Sequence, residues 1–121
     1  MKHSPGFVRL VEQVKRHVKE CTIAEVKAEL DRGDAVHFLD VREDLEFAHD
    51  HAKGARHLGK GVIERDIETV VPEKQAKIVL YCGGGFRSAL AAHALQQMGY
   101  VNVRSMAGGI RAWREAGYPM E

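Results

Sequence analysis

The stretch Lys77–Ser88 constrains the fold of this chain more than any other. Ile78, Val79 and Leu80 make an apolar run too short for a buried helix. Gly83, Gly84 and Gly85 follow, and a helical pattern then opens at Ser88 and runs to Met98, closed by Gly99. A buried strand that turns sharply into a helix is the building unit of a sheet covered by helices. The rest of the chain repeats it. Ala35–Leu39 is a second short apolar run, ending at Asp40, and Tyr100–Ser105 is a third. Helical spacing marks Val62–Val70, which stops before Pro72, and Ile110–Ala116, which stops at Gly117 and Pro119. Glu43–His49 reads as a short helix and Gly54–Leu58 as a turn with a short strand. Thr22 and Glu25 fit a capping box, in which each side chain satisfies a backbone donor of the first turn. Ile23, Val26, Ala28 and Leu30 give that helix its apolar face, and Gly33 sits at its stop. Strands alternating with helices indicate an α/β fold with a mainly parallel sheet, and such sheets carry their chemistry at the carboxyl ends of the strands. Asp40, Cys82 and the Met106 turn all fall at such ends.

Ahead of this unit, Phe7, Leu10, Val11, Val14 and Val18 recur at helical spacing and predict an amphipathic helix over 6–18, and Phe7, Val11, Val14, Val18 and Cys21 form a narrow stripe along it. The division expected is an N-terminal helical extension over 1–19 and an α/β domain over 20–121. Five apolar side chains on one stripe need cover. The expectation is that they pack on their own domain rather than on a second copy; none of the candidate site residues lies before Asp40.

The charge balance, 18 Lys and Arg against 17 Asp and Glu for a net +1, gives no support for a nucleic-acid or membrane surface. No apolar run approaches the ~20 residues of a membrane span. Residues 1–6 lack the apolar core of a signal peptide, so the expected compartment is the cytoplasm, where two cysteines stay reduced. Neither Cys21 nor Cys82 lies in a paired-cysteine zinc pattern. His49, His51 and His57 are close in sequence, but nothing at a fitting position completes a metal site. No metal or organic cofactor is expected. Cys21 reads as a small buried apolar residue, with a resolving thiol as the alternative. His37 reads as a packed strand residue. Phe86 and Trp113 are candidate pocket walls, Trp113 being the more core-like.

The loop Cys82-Gly83-Gly84-Gly85-Phe86-Arg87-Ser88 carries the chemistry. Glycines let the backbone curl, and a curled loop at a helix N-terminus turns its N–H groups inward as an anion-binding nest. A cysteine at the mouth of that nest is favoured as thiolate, and a negative group attached to its sulfur meets the same donors. Arg87 adds positive charge near the helix start. The alternative is a tight turn with an inert, buried cysteine. Asp40 is expected to pair with an arginine, Arg87 being one candidate, and Asp40 and Arg42 to support the loop rather than to catalyse.

This loop resembles the Cys-x-x-Gly-x-Arg-Ser active-site loop of the rhodanese family. Leu39-Asp40-Val41-Arg42-Glu43, Glu46-Phe47, His51-Ala52-Lys53-Gly54-Ala55-Arg56-His57, and Gly108-Gly109-Ile110-Arg111-Ala112-Trp113 with Gly117-Tyr118-Pro119 resemble further family motifs in the same order. The resemblance spans about residues 20 to 120. Asp50 and Ala52 depart from it, where the family often has glycine and isoleucine. The resemblance implies a five-stranded, mainly parallel sheet flanked by helices. It also implies sulfur transfer through a Cys82 persulfide, cradled by the amides of Gly83, Gly84, Gly85, Phe86, Arg87 and Ser88. Thiosulfate or a similar small donor would supply the sulfur, and cyanide or a thiol would accept it. Three alternatives stay open: a protein-to-protein sulfur relay, a non-catalytic interaction module, and a phosphatase of related loop. The phosphatase loop is one residue longer than the six from Cys82 to Arg87.

Overall fold

The computed structural model describes residues 2–121; Met1, the first residue of the expected extension, lies outside them. Among the described residues, five strands form one parallel sheet: β1 (Lys19–Cys21), β2 (Val36–Asp40), β3 (Arg56–His57), β4 (Lys77–Tyr81) and β5 (Val103–Met106), in the order β1-β5-β4-β2-β3. Helices α1 (Pro5–Lys15), α2 (Ile23–Asp31), α3 (Asp44–His49), α4 (Ile63–Val70), α5 (Phe86–Gln97) and α6 (Gly109–Glu115) flank it. The α/β reading and the five-stranded sheet hold. No described helix is long and apolar enough to cross a membrane.

The central strand β4 explains the layering. Successive side chains of a strand point to opposite faces. Ile78 and Leu80 join Leu39, Ile67 and Leu95 in a core beneath α1, α4 and α5. Val79 and Tyr81 join Phe38, Val26, Ile110 and Trp113 in a second core beneath α2 and α6. A strand buried on both faces must be apolar throughout, which is why β4 reads as a continuous run. The Thr22–Glu25 capping box is present, with Glu25 N–H donating to Thr22 Oγ1 at 3.1 Å and Thr22 N–H to Glu25 Oε1 at 2.9 Å.

Three boundaries differ from the sequence expectation. The first helix ends at Lys15, where Arg16 and His17 N–H turn back three residues to Gln13 and Val14 carbonyls and tighten the last turn. The chain then enters β1, an edge strand in register with β5 from Lys19↔Arg104 to Cys21↔Met106. The stripe traced to Cys21 is therefore two elements: Val11, Val14 and Val18 join the core beneath α1 and α5, and Cys21 joins the opposite one. Three strand residues are too few for alternation to declare itself. Second, β5 begins at Val103 rather than Tyr100. Tyr100 N–H goes to Leu95 O and Val101 N–H to Lys74 O, which spends both on closing α5 and its loop. Third, α5 opens at Phe86, ahead of Ser88, so Phe86 and Arg87 are first-turn residues.

Helix α1 packs across α5 through Val11 and Val14, with Phe7 against Phe86 at a centroid distance of 5.8 Å. Val11 is 2% exposed and its neighbour Leu10 48%. Val11→Ala is expected to lower unfolding stability by roughly 1–3 kcal/mol in urea titration, and Leu10→Ala to stay within about 0.5 kcal/mol. Equal losses at the two positions would show that this face does not anchor α1.

Candidate active site around Cys82

Cys82 leaves the carboxyl end of β4 and is 1% exposed. Its Sγ accepts the Gly85 N–H at 3.1 Å and the Ser88 N–H at 3.3 Å, and lies 3.5 Å from Ser88 Oγ. Ser88 Oγ is in turn 2.8 Å from Ser105 Oγ of β5, and both serines are fully buried. Two backbone N–H dipoles and the first turn of α5 thus converge on the sulfur.

The loop can aim its amides inward because its carbonyls are bound elsewhere. Ile110 N–H donates to Cys82 O at 2.9 Å and Arg111 N–H to Gly83 O at 3.1 Å. These donors belong to the first turn of α6, where amides have no partner within the helix. Gly109 makes the approach possible: at φ +55°, a Cβ there would lie 2.5 Å from Cys82 O and 2.6 Å from Gly83 O. Gly85, at φ +104°, turns the chain from the loop into α5.

Above the sulfur opens a cleft of about 600 Å³. Cys82, Gly83 and Gly84 form its floor, Phe86, Phe7 and His3 one side, and Arg87, Glu46 and Arg111 the rest. His3 and Phe7 come from the N-terminal extension, ahead of Asp40 and of every site residue expected from the sequence. Arg87 does not pair with Asp40. Its Nη1 and Nη2 hold Glu46 of α3 at 2.8 and 3.1 Å. This hydrogen-bonded guanidinium lowers the Glu46 carboxyl from the usual 4.5 to about 2. Arg87's charge is therefore largely offset. Arg111 is exposed and has no carboxylate partner among the described residues.

Asp40 takes its neighbour Arg42 instead. Arg42 Nε and Nη2 reach the Asp40 oxygens at 2.8–3.1 Å, and the Arg42 N–H adds a bond of 2.9 Å. Both residues are buried. Arg42 Nη2 also holds Asp50 O just past α3 at 2.7 Å, while His57 Nε2 meets Arg42 O at 2.8 Å. The pair joins the end of β2 to α3 and β3, and so acts on the helix that carries Glu46, away from the cleft.

Trp113 lies in the core beneath α2 and α6, with its Nε1–H on Pro119 O, and does not wall the cleft. His51 and His57 stack on Phe47 at centroid distances of 3.8 and 4.9 Å. Among the described residues no group of three His, Cys, Asp or Glu is placed to hold a metal ion. His37 is half-buried in β2, with Nδ1 3.3 Å from Arg56 Nη2. Cys21 is buried, and burial pushes its thiol up to about 11, away from nucleophilic use. A second, more open cleft at the amino ends of the strands, lined by Lys19, Glu29, Lys77 and Arg104, holds no nucleophile. The site residues that sequence reading missed are Glu46, Arg111, His3 and Phe7. The first two sit inside motifs it had noted, but nothing local marks them as facing Cys82.

Residues 22–116 match the family model described as rhodanese-like domain. The chain is similar to a thiosulfate sulfurtransferase, PspE, of Escherichia coli strain K12: 34% identity over 77 residues, 64% of this chain and 73% of that protein. It is also similar to a putative sulfurtransferase, YtwF, of Bacillus subtilis strain 168, at 31% identity over 79% of this chain and 90% of that one. A solved structure from Rhodopseudomonas palustris, described as a possible tyrosine phosphatase, superposes with a TM-score of 0.89 at 30% identity, over 100% of this chain and 98% of the other.

Two outcomes follow from the geometry. Gly109→Ala is expected to cost roughly 1–3 kcal/mol in urea unfolding and to slow alkylation of Cys82, because the new methyl displaces the loop carbonyls. Gly61→Ala, with nothing within 4 Å of its Cβ, is the control; parity between the two would refute the account of the loop. The second outcome concerns pH. The lowered Glu46 value means the folded state binds that proton less readily than the unfolded one. Its contribution is full above the ordinary 4.5 and fades as pH falls toward about 2. The pair is partly exposed, so the effect is about 1 kcal/mol or less. Urea midpoints of wild type and Glu46→Gln should differ by a constant amount above about pH 5.5 and converge below about pH 4.5. A gap that widens with acid would contradict the pairing.

Proposed function

The chain belongs to the rhodanese-like domain family, and from that footing we propose that it is a sulfurtransferase carrying sulfane sulfur as a persulfide on Cys82. The observation that carries this reading is the pair of amides, Gly85 and Ser88, directed at Sγ from the start of α5. An anion held there is either the attacking thiolate or, once loaded, a persulfide seated in the same loop. The names borne by the relatives in Escherichia coli and Bacillus subtilis support the same chemistry.

The reaction has two displacements. The Cys82 thiolate attacks the outer sulfur of thiosulfate; a bond forms between Sγ and that sulfur, the donor's own S–S bond breaks, and sulfite leaves with the electron pair. Cyanide or a thiolate then attacks the terminal sulfur. The bond from Sγ breaks and Cys82 leaves as thiolate, stabilised again by the two amides. Neither step calls for a metal, an organic cofactor or an external oxidant. Arg111 at the cleft's edge attracts the anionic donor and acceptor. A thiol on another protein offers the same reacting atom as a small thiol.

The description of the Rhodopseudomonas palustris structure raises phosphatase chemistry. Two features disfavour it. Arg87, which would have to turn to a phosphate, is held in a forked pair by Glu46. The loop from Cys82 to Arg87 is six residues, and its inward amides close on the sulfur itself.

Thiocyanate formation from thiosulfate and cyanide is expected in wild type and Cys21→Ser, and only background in Cys82→Ser. Intact-protein mass spectrometry should show one sulfur atom gained with thiosulfate and lost with cyanide. An aryl phosphate should give no Cys82-dependent turnover. Retained thiocyanate formation in Cys82→Ser, or robust phosphatase turnover that this variant abolishes, would overturn the assignment.

A further inference from the structure

The cleft over Cys82, about 600 Å³, falls within the ~300–1,000 Å³ range of sites that take organic ligands. An ion the size of thiosulfate fills a small part of it. One side of the cleft consists of rings. His3 lies 4.6 Å from Phe86 and 5.2 Å from Phe7 by centroids, and Phe7 and Phe86 are 5.8 Å apart. Two of these three rings precede residue 22, where the family match begins. They reach the site because α1 packs across α5, whose first residue is Phe86. The cleft's remaining lining carries positive charge: Arg111 has no carboxylate partner among the described residues. Glu46, the carboxylate lining the cleft, is held by Arg87.

We propose that the N-terminal segment sets donor specificity. His3, Phe7 and Phe86 form a seat for the flat apolar body of an organic sulfane-sulfur donor, and Arg111 faces its anionic end. An aryl thiosulfonate is the simplest anion of that class. The inference rests on the sulfur-transfer reading of Cys82. The step balances as with thiosulfate: Sγ bonds to the terminal sulfur, the donor's S–S bond breaks, and an aryl sulfinate leaves with the electron pair. Ring stacking on the wall adds binding that an alkyl donor cannot make, and differences of this size discriminate substrates by one to two powers of ten.

The test compares benzenethiosulfonate with methanethiosulfonate, which share the reacting group and differ in the ring. Thiocyanate formation with cyanide gives kcat/KM for each donor. The ratio of the two, aryl over methyl, is expected to fall roughly tenfold in Phe7→Ala, through KM more than kcat, and to fall in His3→Ala. Phe7→Tyr is expected to keep the wild-type ratio. His3 is exposed, so its variant tests the wall even where Phe7→Ala fails to fold. An unchanged ratio in His3→Ala and in a folded Phe7→Ala, with turnover of both donors intact, removes the specificity role and leaves sulfur transfer standing. No thiocyanate from either donor or from thiosulfate in wild type overturns both.

Discussion

Two hydrogen bonds from the first turn of α6, Ile110 N–H to Cys82 O and Arg111 N–H to Gly83 O, hold the loop carbonyls away from the sulfur. A peptide group is a dipole, and binding its oxygen behind the loop fixes the direction of the N–H groups in front. With the carbonyls reversed, the same residues would repel an anion at Sγ. The glycine run alone does not decide between these orientations; α6 does. The cost of bringing α6 this close is a position that tolerates no side chain, and Gly109 fills it.

A second layer of order comes from how acids and arginines are shared. Asp40 binds Arg42, Glu46 binds Arg87, and Glu29 of α2 binds Arg104 of β5 at 2.7 and 2.9 Å. Each pair ties a helix or the chain leading into one to the sheet or to α5. The Arg42 pair is buried and must be matched atom for atom, since an unpaired charge there is expensive. The Arg87 pair sits at the edge of the cleft and trims the charge presented to whatever enters. Arg111 is thereby left as a guanidinium of the cleft without a carboxylate partner among the described residues.

Local signals were legible in the sequence and distant ones were not. The bounds of β4 follow from burial on both faces, and the start of α2 from a capping box that spans four residues. The nest was readable because its glycines, cysteine and helix start are contiguous. The partner of Arg87 lies 41 positions away in α3, and no periodicity or motif links the two. Asp40 pairs with Arg42, two residues on, rather than with the candidate Arg87, because the backbone turn that brings the two together belongs to the exit from β2. The edge strand β1 was hidden because its three residues continue the spacing of the helix before them. The ring cluster of His3, Phe7 and Phe86 is a product of the α1–α5 crossing, and crossings are not written in either helix alone.

The dependence of the loop on α6 also sets an order in time. A chain is made from its N-terminus, and a domain folds as a unit once its parts are present. Cys82 is therefore synthesised well before Gly109–Glu115, and until those residues appear the loop carbonyls lack their donors. The first strand waits as well, because β1 pairs only with β5. During that interval nothing holds the loop amides toward the sulfur. A chain cut off before Gly109 therefore carries the thiol without the two donors that hold the Cys82 and Gly83 carbonyls behind the loop.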